Sequence, residues 1–167
     1  MPEILRAPEI LLAEDNPADV YLIREALMEH KVDCTVRVAS DGKDVLQYLS
    51  EETSLSGARL PDLIILDLNL PRHDGIEILQ RVRATDRMSR IPVVVLTSSD
   101  SPRDRLVANQ LGATRYVRKP SSLQEFLDLG AVFKDLLTEK GREAAAGAPE
   151  SAAPSDEFDL DTEGACE

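Results

Sequence analysis

Asp62-Leu63-Ile64-Ile65-Leu66-Asp67 (DLIILD, residues 62–67) is a continuous apolar run bracketed by two aspartates. A run without apolar–polar alternation suits a strand covered on both faces, as in the middle of a parallel sheet. Pro92–Thr97 (PVVVLT) has the same character. Between the two runs, Asp74–Asp86 carries Ile76, Leu79 and Val82 at spacing three, the period of a helix with one apolar face.

The same alternation extends outward in both directions. Upstream, Glu9–Glu14 (EILLAE) is a short apolar run ending in acids, and Asp19–Lys31 follows with Val20, Ile23 and Leu27 at helical spacing. Cys34–Ala39 (CTVRVA) then alternates like a strand with one solvated face, and Asp41–Glu52 carries Val45, Leu46 and Leu49 on a helix. Downstream, Ser101–Leu111 reads as a helix whose end is marked by Gly112, a favoured residue just past a C-cap. Arg115–Arg118 is a short strand, and Ser121–Leu137 is a last helix with Leu123, Phe126, Leu127, Phe133 and Leu137 facing the core. Strand–helix alternation repeated five times implies an α/β fold with a parallel sheet and right-handed crossovers.

Composition narrows the function. Of the 167 residues, 31 are acidic and 19 basic, giving a net charge of −12. Residues 1–138 hold 22 acids and 17 bases, and residues 139–167 hold 9 acids and 2 bases, so most of the excess lies at the C-terminal end. Without a basic stripe there is little to neutralise phosphates, which disfavours direct nucleic-acid binding. Aromatics at 4% and the absence of Trp leave no stacking platform for single strands. No apolar run approaches membrane-spanning length and the N-terminus lacks a signal-peptide core, so a cytoplasmic protein without membrane contact is expected. Two cysteines, Cys34 in a strand pattern and Cys166 near the end, form no disulfide framework. The periodic pattern stops near Gly141, and residues 143–167 contain eight acids and no base. The expected organisation is one domain over 8–140 and an acidic, disordered tail over 141–167.

Ligands of parallel α/β sheets bind beyond the C-terminal ends of the strands. There the sequence places Glu14-Asp15 after the first strand, Asp67 after the third, Thr97-Ser98 at the fourth and Lys119-Pro120 after the fifth. Any one of these has an ordinary explanation as a helix cap, a turn or a surface charge. Taken together they bring three carboxylates into one place. Such a group is mutually repulsive and calls for a compensating cation. Hard carboxylate oxygens suit Mg²⁺, and Lys119 adds a mobile positive charge able to reach a phosphoryl oxygen.

This ordered set, Glu14-Asp15-Asn16, Asp67-Leu68-Asn69-Leu70-Pro71 with Gly75, Thr97-Ser98 and Lys119-Pro120, resembles the receiver domain of two-component response regulators, over roughly Ile10 to Leu137. The resemblance implies a doubly wound, flavodoxin-like sheet of five parallel strands in the order 2-1-3-4-5. It assigns Asp67 as the acceptor of a phosphoryl group from a sensor histidine kinase. It gives Mg²⁺ the ligands Asp15, Asp67, the backbone carbonyl of Asn69 and, directly or through water, Glu14. Lys119 and Thr97 would contact the phosphoryl group, Tyr116 would be the aromatic of the conformational switch, and the Lys119–Pro120 peptide would be cis. Such a protein catalyses only its own phosphorylation and dephosphorylation.

Leu70 and Ser98 depart mildly from the commonest residues at their positions. His73 reads as an exposed loop residue and His30 as a cation at a helix end. Gly130, inside the last helix, marks either close packing or a break near the surface that some relatives use to dimerise, so the resemblance allows a homodimer. No output domain fits in the acidic tail, so a stand-alone receiver is expected. The stretch Glu14–Leu27 (EDNPADVYLIREAL) looks most like small receivers paired with phytochrome-like kinases. Three other classes are weaker. An aspartate-nucleophile phosphatase needs a second aspartate where Asn69 stands. A flavin module needs a glycine- and hydroxyl-rich loop where Glu14-Asp15-Asn16-Pro17 stands. A pseudo-receiver that only binds partners would not need Asp67, Thr97 and Lys119 intact.

Overall fold

The computed structural model describes residues 6–54 and 59–146. Strands β1 (Glu9–Ala13), β2 (Thr35–Ala39), β3 (Leu63–Leu66), β4 (Val93–Thr97) and β5 (Arg115–Arg118) alternate with helices α1 (Pro17–Glu29), α2 (Gly42–Ser54), α3 (Gly75–Ala84), α4 (Pro102–Gln110) and α5 (Leu123–Ala146). The strands form one parallel sheet in the order β2-β1-β3-β4-β5. This is the expected flavodoxin-like, doubly wound arrangement. Most element ends fall within one or two residues of those read from the sequence.

The apolar runs of β3 and β4 are buried along their whole length because both sheet faces are covered. Alternate residues feed two cores. Leu11, Ile64, Leu66, Val93 and Val95 pack with Val45, Leu49, Ile78, Leu79 and Val82 under α2 and α3. Ile10, Leu12, Leu63, Ile65, Val94 and Leu96 pack with Ile23, Leu27, Phe126 and Phe133 under α1 and α5. Cys34, half-buried, packs at the edge of this second core.

The helices start where the sequence provides caps. The side chains of Asn16, Asp74 and Ser101 accept hydrogen bonds from the first-turn N–H groups of α1, α3 and α4. Leu111 caps the C-terminus of α4, and Gly112 follows at φ 83°.

Gly130 marks close packing, not a break. α5 runs through it without interruption, and a Cβ there would collide with the carbonyl of Ala26 and the ring of His30 on α1. His30, the C-cap of α1, also hydrogen-bonds the Leu127 carbonyl at 3.1 Å. The two helices thus meet backbone to backbone. α5 continues to Ala146, beyond the domain end expected at residue 140. The extra turn carries Glu143 and three alanines, which are strong helix formers. The rest of the expected tail, with Cys166, lies outside the described residues.

Candidate functional site

Register sets the site. Ala13 pairs with Leu66 across β1 and β3, so the residues that follow them, Glu14 and Asp67, leave the sheet side by side. This is where the strand order reverses, since β1 leads to β2 on one side and to β3 on the other. Glu14 and Asp67 are buried, at 2% and 3% exposure, while Asp15 faces solvent. One carboxylate oxygen from each of Glu14, Asp15 and Asp67 lies within 4.8 Å of the others. Three hard oxygens converging this closely fit a divalent cation, and all three residues were expected there.

Lys119 supplies positive charge. The first residue past β5, it is tied to the neighbouring strand by its N–H donating to the Thr97 carbonyl at 2.8 Å. Its ammonium lies 2.8 Å from Asp67 Oδ2, 2.8 Å from Glu14 Oε2 and 2.8 Å from Asp19 Oδ2. Burial alone would depress this ammonium, but the carboxylates of Asp19, Asp67 and Glu14 outweigh it and hold its pKa above the ordinary lysine value. Glu14 moves the other way. Burial pushes its carboxyl up to about 7, the Asp67 charge adds to the rise, and the Lys119 ammonium and the Asn16 N–H offset part of it.

Asp67 is fixed at both oxygens: Oδ1 accepts from the Asn69 N–H at 3.0 Å, and Oδ2 from Lys119. Gly75, the first residue of α3, presses on the same strand end. A Cβ there would stand 2.7 Å from the Asp67 carbonyl oxygen and 2.6 Å from Leu68 Cα. Thr97 is wholly buried, and its Oγ1 accepts from Asn69 Nδ2 at 3.3 Å and from the Ser99 N–H at 3.2 Å.

Tyr116, further back on β5, packs against the first core with the Arg105 guanidinium 5.4 Å from its ring centroid. Its hydroxyl is buried and, among the described residues, has no hydrogen-bond partner; burial raises the phenol pKa, and nearby Ser99 lowers it in part. His73, in the loop after Asp67, faces Glu77 at 3.3 Å on the outer surface.

Two departures from expectation stand out. The Lys119–Pro120 peptide, expected to be cis, is trans, as are all peptide bonds among the described residues. Trans is the favoured isomer even before proline, and the Lys119 side chain reaches Asp67 from it directly. Asp19 was not singled out, although its carboxylate is one of the three on Lys119. Its only sequence signal is an acid four residues after Asp15, which also suits an ordinary first helical turn.

Comparisons with known proteins point the same way. A family model of the response regulator receiver domain matches residues 10–129. The response regulator Rcp1 of Synechocystis sp. is 34% identical over 120 residues, covering 72% of this chain and 82% of the relative. Among solved structures, the phosphorylated cyanobacterial phytochrome response regulator RcpA superposes with a TM-score of 0.72 at 35% identity, over 80% of this chain and 95% of that one. The Mn²⁺-bound form of Rcp1 gives 0.69 at 32% identity, over 77% and 92%.

Proposed function

The chain belongs to the response regulator receiver domain family, and from that premise we propose that it is a phosphorylation switch whose acceptor is Asp67. The observation that carries this reading is the Lys119 ammonium 2.8 Å from Asp67 Oδ2, beside two further carboxylates at the C-terminal edge of the sheet. In the reaction an Asp67 carboxylate oxygen attacks phosphorus, the bond from phosphorus to the donor's imidazole nitrogen breaks, and the histidine leaves with the electron pair. Lys119 turns its N–H groups to the phosphoryl oxygens. Thr97 Oγ1 releases the Asn69 amide and donates to the same group, which carries about −1.5 to −2 charge at pH 7. Mg²⁺ held by Glu14, Asp15, Asp67 and the Asn69 carbonyl would neutralise charge on the transferring group, the main requirement of phosphoryl transfer. The Mn²⁺-bound relative supports a divalent cofactor of this kind.

Signalling follows from the neighbours of Thr97. The β4–α4 loop hangs on its hydroxyl through Ser99, and Tyr116 lies beneath that loop with an uncompensated hydroxyl, so a shift of Thr97 alters the surface of α4, β5 and α5. That surface is the one we assign to output, including any homodimer. The likeness to Rcp1 and to a phytochrome response regulator favours a phytochrome-like histidine kinase as donor, in the cytoplasm. Among the described residues no helix is long and apolar enough to cross a membrane.

Intact mass after incubation with Mg²⁺ and phosphoramidate tests the reading. One added phosphoryl group is expected on the wild-type chain, none on Asp67→Asn, and none when the metal is chelated. A folded wild type without an adduct would leave a module that only binds partners.

A further inference from the structure

Asn16 is the N-cap of α1, which makes Asp19 the third helical residue. An acid at that position ordinarily reaches back to the N–H of the cap or rests against the positive end of the helix dipole. Here the Asn16 N–H is already held by Glu14 Oε1 at 3.0 Å. The Asp19 carboxylate instead crosses to the end of β5 and takes the Lys119 ammonium at 2.8 Å, a contact spanning one hundred residues of chain. Its side chain is only 18% exposed, so the pair is sheltered from solvent.

We propose that Asp19 is a positioning residue for phosphoryl transfer, a tether that keeps the Lys119 ammonium in the site while its other two partners are engaged elsewhere. The inference rests on Asp67 being the phosphoacceptor. An ammonium has three N–H donors; that of Lys119 hydrogen-bonds Asp19 and Asp67, and Glu14 Oε2 stands as a third ion-pair partner at 2.8 Å. Two of these partners change during the cycle. The Asp67 carboxylate becomes an acyl phosphate, moving its charge onto the phosphoryl group. Glu14 belongs to the converging acidic set that a divalent cation would draw on. Asp19 lies outside that set and takes part in neither change. Lysine is a point charge on a flexible four-carbon stem, free to swing into water once its partners let go. One lasting charge-assisted bond prevents this and leaves two N–H groups for the phosphoryl oxygens.

Asp19→Ala removes the tether, and Asp19→Asn keeps the hydrogen-bond acceptor without the charge. Unfolding midpoints establish that both full-length variants fold, and the Asn variant serves if the Ala variant does not. The first readout is the side-chain ammonium ¹⁵N spectrum of the five lysines, recorded with Mg²⁺ and then with Mg²⁺ and beryllofluoride. Wild type is expected to show an ordered, slowly exchanging Lys119 signal in both states. The signal is lost in Asp19→Ala and intermediate in Asp19→Asn. An equally ordered Lys119 in the Ala variant would overturn the tether, whatever Asp67 does.

The second readout is the rate of adduct formation with phosphoramidate. Asp19→Ala is expected to lower the maximal rate about tenfold with the half-saturating donor concentration unchanged, and Asp19→Asn to recover part of the loss. An unchanged maximal rate would overturn the positioning role. Absence of any adduct on wild type is a distinct result: it removes the phosphoacceptor reading and the positioning role with it, and the spectrum still decides the tether.

Discussion

Glu14 shows how a single residue couples the site to stability. Its carboxyl ionises near 7 in the folded protein without metal, against an ordinary value of 4.5, chiefly because it is buried. Between those values the folded state keeps a proton that the unfolded chain has lost. The stabilising contribution of Glu14 in the metal-free protein is therefore fully present below the ordinary carboxylate pKa and is lost as pH rises through about 7. The loss is on the order of 3 kcal/mol. Urea midpoints measured in chelator between pH 5 and 8 should fall for wild type and stay nearly flat for Glu14→Gln, with saturating Mg²⁺ restoring the wild type at high pH. Equal slopes in the two proteins would show that the charge on Glu14 is not the cause. Asp67, Thr97 and Lys119 were legible in the sequence because each stands at a strand end where its ordinary explanation becomes strained once the set is seen together. Asp19 was not legible, since its place in a first helical turn already accounts for it and its partner lies far along the chain.

At the scale of elements, the contact between α1 and α5 sets apart propensity and packing. Gly130 costs α5 about 1 kcal/mol relative to alanine. Propensity alone would make Gly130→Ala stabilising. The Ala26 carbonyl and the His30 ring occupy the space a methyl group needs, and the Ala26 carbonyl is backbone that cannot turn aside. The substitution should therefore destabilise the protein by about 2 kcal/mol in chemical denaturation, as overpacking does. A gain in stability would mean that the helices separate easily. The sequence narrowed Gly130 to two meanings but could not choose between them, because the neighbour that decides lies on another helix. The β3 and β4 runs needed no such neighbour, since burial on both faces is written in their composition. The isomer at Pro120 had no local signal beyond the resemblance, and there the expectation failed.

For the molecule as a whole, the two cores close early. Their residues lie between Ile10 and Leu137, while the excess negative charge is concentrated beyond Thr138. Truncation after Ala146 removes seven acids and no base. Because the core residues described end at Leu137, it should leave the unfolding free energy at physiological salt within about 0.5 kcal/mol of the full chain. A larger loss would mean that residues 147–167 bury apolar surface of their own against the domain.

The seating of Gly75 on the Asp67 carbonyl and Leu68 has a mechanical consequence. With no room for even a methyl group, the start of α3 acts as an anvil against which the loop after Asp67 cannot recoil. Opposite it, the Thr97 hydroxyl is held by two long, weak bonds at 3.2 and 3.3 Å, and the Tyr116 hydroxyl, among the described residues, by none. Under the switch proposed above, a load applied at Asp67 would meet stiffness on one flank and compliance on the other, and displacement is expected toward β4 and β5.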